Sequence, residues 1–242
     1  VPFSYIKGEK MFVDIPSVQI RGYRSATEVN QAMGRVYNYM FLAVAVSMIV
    51  SLAVAASPAA MALFFGPITK WITMFAPLVF VFLVPMAINS GIAREGAIAL
   101  LLAFAGIMGL SLSAFMAVFT GMSVVTAFLG ASVLFGTMSL YGYFTKSSLD
   151  NWGKYLFIGL IAIVIASVIN IFIGSSIASM VISAVAIVLF LGLTAYDTQQ
   201  IREQLSYMDE NHRAEVLGAL SLYLNFINIF TSLLNLTGSR ND

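Results

Sequence analysis

Charged residues punctuate this chain at long intervals, and the apolar stretches between them set its elements. No Asp, Glu, Lys or Arg occurs from Val36 to Thr69, Trp71 to Ala93, Gly96 to Thr145, Tyr155 to Tyr196, or Val216 to Ser239. A helix that crosses the hydrocarbon layer needs about 20 apolar residues. The first, second and fifth stretches therefore hold one crossing each. The third and fourth are 50 and 42 residues long, so each holds two crossings joined by a tight turn. Gly and Ser clusters mark those turns, at Thr120-Gly121-Met122-Ser123 and at Gly174-Ser175-Ser176. The pattern predicts seven transmembrane helices, over residues 38–57, 69–90, 97–119, 123–144, 153–173, 177–200 and 215–236. A β-barrel would alternate apolar and polar positions in segments of about ten residues; these runs are continuously apolar instead.

Composition agrees with an all-α integral membrane protein. Hydrophobic residues make up 60% of the 242 and charged residues 10%, with a mean hydropathy of +0.93. A soluble domain carries about 25% charge. The net charge of +1 offers no basic surface for nucleic acid. Cysteine is absent, which removes disulfides, thiolate metal sites and a cysteine nucleophile.

The distribution of charge orients the bundle. Lys7, Lys10, Arg21, Arg24 and Arg35 precede the first crossing, and Arg94 lies between the second and third. Lys146 and Lys154 lie between the fourth and fifth, Arg202 and Arg213 between the sixth and seventh. Only Lys70 and Arg240 fall on the other side. The positive-inside rule then puts the N-terminus in the cytosol and the C-terminus on the opposite side. Tyr141, Tyr143, Trp152 and Tyr155 supply aromatic anchors at one cytosolic boundary. Residues 1–35 read as a polar, flexible or interfacial cytosolic tail, and residues 36–238 as the membrane domain.

Polar groups inside such a domain are informative, because lipid offers them no partner. Asp197 is the one carboxylate the pattern places within a crossing, about 6–8 Å inside the cytosolic end of the sixth if that helix stops near Ile201. Thr194 and Gln200 lie one turn either side of it. On the seventh crossing, Gly218, Ser221, Asn225, Asn228, Ser232 and Asn235 are spaced 3, 4, 3, 4, 3, a small-and-polar stripe along one face. Asn225 lies about 13–15 Å from that helix's start, so Asp197 and Asn225 are expected within a turn or two of each other in depth.

Two readings of these residues stand side by side. A polar stripe is ordinary interhelical packing. An intramembrane aspartate is a structural acceptor, a water-reached helix end, or a site for gating, ion coordination or proton sensing. Ser132 with Gly136, and Ser167 with Asn170 and Gly174, read as packing. His212 reads as a solvated loop residue and a poor metal ligand. Arg94 reads as a loop partner of Glu95, or as a latch reaching Asp197 from the cytosolic mouth. Enzyme chemistry is poorly supported: there is no HExxH pair, no GxSxG elbow, and no second membrane aspartate to make a protease dyad. The chain is read as a non-enzyme.

The segment Ala195-Tyr196-Asp197-Thr198-Gln199-Gln200-Ile201, followed by Gly218-Ala219-Leu220-Ser221-Leu222-Tyr223-Leu224-Asn225-Phe226-Ile227-Asn228-Ile229-Phe230, resembles the Bax inhibitor family of seven-helix membrane proteins, in a bacterial form. Gly109-Leu110-Ser111-Leu112-Ser113, Ser139-Leu140-Tyr141-Gly142-Tyr143 and Ser167-Val168-Ile169-Asn170-Ile171-Phe172 support the likeness, which covers roughly residues 30–236. The resemblance implies a pH-sensitive Ca²⁺ leak in which two aspartates on the last two helices share a proton and control closure. Asp197 matches the first. Asn225 stands where the family commonly has the second. Some members add an acid and an arginine on the second crossing, and here that crossing carries no charge.

The expected machinery is therefore Asp197 and Asn225 as ion- or proton-sensing residues, with Thr194, Ser221 and Asn228 as the supporting polar face and Arg94 as the latch. Asp197 is also the one expected Ca²⁺ contact, for weak transit. No tightly bound cofactor is expected, only calcium as a permeant ion. Burial of Asp197 disfavours its charged form and an Asn225 amide donor favours it, so the opposing effects set no pH optimum. The expected surroundings are a lipid bilayer, either a bacterial inner membrane or a eukaryotic organelle membrane, with no nucleic acid. Certain bacterial relatives instead bind and restrain a membrane-anchored protease, which implies an alternative, non-conducting regulatory function.

Overall fold

The computed structural model describes residues 24–207 and 212–241, and these form eight helices. They are α1 (Ala26–Ala55), α2 (Pro58–Phe64), α3 (Thr69–Asn89), α4 (Arg94–Val118), α5 (Gly121–Phe144), α6 (Asp150–Ile173), α7 (Ser176–Ser206) and α8 (His212–Thr237). All but α2 are long and apolar enough to cross a membrane, and together they make an integral, multi-pass, all-α membrane protein. The short turns fall where the Gly and Ser clusters put them. Thr120 caps α5 through its hydroxyl, and Gly174 ends α6 in the left-handed conformation at φ +70° before Ser175 caps α7.

Two helices outrun their apolar cores. α1 begins at Ala26, twelve residues before the expected start. Ser25 and Glu28 close a reciprocal capping box there: the Ser25 hydroxyl accepts the Glu28 amide, and the Ser25 amide donates to the Glu28 carboxylate at 2.8 Å. Val29, Ala32, Met33, Val36, Met40, Ala43 and Val44 then bury one continuous helical stripe. Residues 26–35 are thus part of the first helix and not of a flexible tail; the rest of the expected tail, residues 1–23, lies outside the described residues. α7 continues to Ser206, past Arg202 and Glu203. The physical reason is the same at both sites. Lipid thickness limits the apolar run, whereas backbone hydrogen bonding carries the helix on into the polar zone.

α8 is the axis of the bundle. Fourteen of its residues are buried, among them Val216, Leu222, Tyr223, Ile229 and Leu234. α1 and α4 pack against one side of it, α5 and α7 against the other. α3 packs outside α4, and α6 outside α7. α6 buries none of its residues and shows Phe157, Ile161, Ile165 and Phe172 to the outside, as a lipid-facing helix does. An aromatic layer joins α5 to α8, with Phe128 and Phe135 edge-on to Phe226, and Phe128 also against Phe230.

The described cations Arg24, Arg35, Arg94, Lys146, Lys154, Arg202 and Arg213 all belong to one end of the bundle, where α1 and α8 begin and α7 finishes. This end is laced by hydrogen bonds. The Arg24 amide donates to the Ser206 carbonyl, Arg202 donates to the Tyr143 carbonyl and stacks on its ring, and Gln199 grips the α5–α6 connection through Ser147 and Leu149. At the other end, residues 238–241 run along the α4–α5 turn, bonding to Val118, Phe119 and Thr120.

The close crossing of α5 and α7 depends on Gly142. A Cβ there would overlap the Ala195 carbonyl oxygen, which is backbone and has nowhere to move. Gly136, the expected packing glycine, has nothing within 4 Å of its Cβ position, and its neighbour Ser132 bonds back to Phe128 of its own helix. Gly142→Ala is expected to destabilise the bundle by about 1–3 kcal/mol. In thermal unfolding of the detergent-solubilised protein, Gly136→Ala should leave the midpoint unchanged or raise it, since alanine favours a helix over glycine.

Candidate functional site

Asp197 projects from α7 toward α8. Its Oδ2 accepts two hydrogen bonds, from the Ser221 hydroxyl at 2.5 Å and from the Asn225 amide nitrogen at 2.7 Å. Ser221 and Asn225 are four residues apart, so the helical repeat stacks both donors on the face that meets α7. Asn225 is buried and Asp197 partly buried. Because α7 runs on to Ser206, Asp197 is about 13–14 Å from its end, roughly twice the depth expected from a helix stopping at Ile201.

The other residues of the expected polar face turn elsewhere. Thr194 is buried and donates to the Phe190 carbonyl of its own helix at 2.7 Å. The Asn228 amide donates to its own Leu224 carbonyl at 2.8 Å. Gln200 reaches Asp150 at the start of α6. The stripe on α8 is thus divided: Gly218 lies against Ile201, Ser221 and Asn225 hold Asp197, and Asn228 satisfies itself. On α6, Asn170 has a buried side-chain oxygen with no hydrogen-bond partner among the described residues.

Arg94 does not latch Asp197, nor does it pair with Glu95. Its Nη2 lies 3.2 Å from Oε2 of Glu215. Arg35 of α1 grips the same carboxylate as a fork, Nε to Oε2 at 3.0 Å and Nη2 to Oε1 at 2.6 Å. Glu215 is 1% exposed, so α8 carries a second buried carboxylate, and Asp197 is not the only one in the bundle. Glu215 borders a charge-free stretch, where a charge reads as solvated. A signal was available in its spacing: Glu215 stands three residues before Gly218, about one turn from the start of the polar stripe. Its neighbour His212 is also tied down, its Nε2 3.0 Å from the Ile92 carbonyl oxygen, where a solvated loop residue was expected.

A hydroxyl chain beside the site also escaped the sequence. Tyr37 meets Ser139 at 2.6 Å and Ser139 meets Thr198 at 3.2 Å, linking α1, α5 and α7. Thr198 spends its proton on the Thr194 carbonyl. Ser139 must therefore donate to Thr198, and Tyr37 to Ser139.

Asp197 and Glu215 differ in how their charge is met. Glu215 has two arginines. Asp197 has a hydroxyl and an amide, and no cation among the described residues. Nor do the described residues hold any group of three or more His, Cys, Asp or Glu suited to a metal ion. One carboxylate with a few neutral oxygens falls short of the 6–8 oxygens of a tight Ca²⁺ site. Because Asn225 bridges two helices and Asn228 does not, Asn225→Leu should cost about 1–3 kcal/mol. Asn228→Leu should stay within about 0.5 kcal/mol, both read from thermal midpoints in detergent.

Comparison with known proteins identifies the family. Residues 29–242 match the family described as inhibitor of apoptosis-promoting Bax1. A protein of Rickettsia prowazekii, RP147, is 36% identical over 216 residues, covering 87% of this chain and 90% of its own. The inner membrane protein YbhL of Escherichia coli is 34% identical over 213 residues, covering 86% and 91%. A Deinococcus radiodurans protein is 39% identical over 170 residues, covering 69% and 73%. The matched region takes in α2 to α8 with both carboxylates and nearly all of α1, so the chain belongs to the Bax inhibitor family of multi-pass membrane proteins.

Proposed function

We propose that this protein is a weak cation leak, with Ca²⁺ among the ions it passes, governed by Asp197 at the α7–α8 seam. One observation carries the reading: Asp197 is an intramembrane carboxylate without a cationic partner among the described residues, whereas Glu215 has two. A bare carboxylate in a low-dielectric interior is costly, and a proton or a passing cation relieves that cost. Ser221 and Asn225 add neutral oxygens beside it, enough for a transit stop and too few for storage. Next to Asn225, Phe226 packs edge-on against Phe128 and Phe135 of α5, an apolar surrounding that raises the cost of a bare charge at this depth.

The amide at 225 shapes the pH response. Two facing carboxylates would share a proton and titrate as a pair. With Asn225 in one place that coupling is lost, so the leak has attenuated pH control. The basic end of the bundle is placed in the cytosol by the positive-inside rule, and the bacterial inner membrane, where the Escherichia coli relative resides, is the proposed location.

Ca²⁺ flux into proteoliposomes tests the reading. Asp197→Asn should lower the flux about tenfold, since it removes the carboxylate on which the reading rests. Asn225→Asp should steepen the pH dependence between roughly pH 6 and 8 by restoring a coupled pair. Flux that is absent, or indifferent to Asp197 over that range, sinks the proposal. Co-purification of a membrane-anchored protease, unaffected by Asp197→Asn, would then favour the non-conducting alternative.

A further inference from the structure

We propose that Glu215, clamped by Arg35 and Arg94, is a positioning residue that sets the register of α8 so that Ser221 and Asn225 stand opposite Asp197. The inference rests on the reading of Asp197, Ser221 and Asn225 as the functional site.

The geometry of α8 carries it. Glu215 lies six residues before Ser221 and ten before Asn225 on one continuous helix, so the three side chains move together. Their offsets are about 9 Å and 15 Å along the axis. The clamp ties α8 to α1 through both carboxylate oxygens and to α4 through one of them. A slip of one residue would move Asn225 by about 1.5 Å along the axis and turn it by about 100°, away from Oδ2 of Asp197. The same slip would pull Glu215 out of its arginine fork and leave a buried carboxylate unpaired, the costly outcome for a pair of this kind.

The seam with α7 does not fix the register alone. Between the clamp and the site, α8 presents Gly218 to Ile201, and a Cβ on Gly218 would come within 2.9 Å of the Ile201 side chain. A smooth contact of glycine against an aliphatic side chain has close fit and no directional bond. Direction comes from His212 on the Ile92 carbonyl, from the Tyr223 hydroxyl, 2.6 Å from the Ser47 hydroxyl of α1, and from the two carboxylates. Of these, Asp197 is held by neutral donors and Glu215 by permanent cations, since arginine stays protonated throughout the working pH range. The clamp therefore keeps its hold whatever proton or ion visits Asp197, and α8 stays with α1 and α4 while the α7 contact exchanges its partners.

The absence of native cysteine allows a direct test. Ile201 Cγ2 is 2.9 Å from the Gly218 Cβ position and one bond of about 1.5 Å from its own Cβ, so the two Cβ positions are at most about 4.4 Å apart, inside the upper limit of the about 3.5–4.5 Å that a disulfide takes. In membranes treated with a mild oxidant, the Ile201→Cys, Gly218→Cys protein should crosslink readily. Adding Glu215→Gln should slow crosslinking about tenfold, and Arg94→Ala, which spares the Arg35 fork, by a smaller factor. In the cysteine-free protein, Glu215→Gln should also erase the effect of Asp197→Asn on Ca²⁺ flux, and flatten the pH profile of Asn225→Asp.

A Glu215→Gln protein that is monodisperse and crosslinks at the native rate overturns the proposal, as does failure of the cysteine pair to crosslink with Glu215 intact. Should Glu215→Gln not fold, Arg94→Ala takes its place, and a native crosslinking rate there overturns the proposal equally. Crosslinking that depends on Glu215 in a protein whose flux ignores Asp197 would uphold the register and reject the leak.

Discussion

A charge inside a membrane protein needs a partner, and the rest of this bundle is arranged around how two carboxylates find theirs. Glu215 draws an arginine from α1 and another from α4 to the start of α8. Asp197 reaches from α7 to a serine and an asparagine on the same helix. Between them these contacts join α8 to α1, α4 and α7. Apolar packing adds most of the buried area but little direction, because lipid is as apolar as leucine and helices in it gain little from apolar contact alone.

That arrangement explains the division of labour among the helices. α8 is polar along one stripe and buried nearly throughout, so it serves as the axis. α3 and α6 carry no such stripe into the interior and sit at the periphery with apolar faces outward. The close approach at Gly142 brings the α7 backbone against α5, and the Tyr37, Ser139 and Thr198 hydroxyls run through the same region. The consequence is a rigid basic end, laced by side chains from α1, α4, α5, α7 and α8, with Asp197 about two and a half turns below it.

Much of this was legible beforehand. Charge-free stretches located seven crossings, and the Gly and Ser turns located their ends, because lipid tolerates neither charge nor open backbone. Spacing alone put Asp197 and Asn225 near one another, since the helical repeat is fixed and consecutive helices are neighbours. Among the features that differ from expectation, three share a reason. The start of α1 lies among polar residues, where hydropathy is silent and a capping box decides. Glu215 stood at a segment boundary, where a charge reads as solvated until the folded chain shows what covers it. Arg94 was expected beside Glu95 or as a latch on Asp197, while the fold brings it to Glu215 at the start of α8.

The boundary between the two kinds of knowledge is therefore physical. Residue types along the chain determined the class, the number of crossings, the charge asymmetry of the two ends and the identity of the polar residues at risk in lipid, because each of these follows from transfer out of water, residue by residue. Which polar group meets which depends on helix rotation, depth and long-range pairing, as between Arg35 and Glu215, 180 residues apart. Only the tertiary structure decided that one carboxylate is neutralised by two arginines while the other is left with a hydroxyl and an amide.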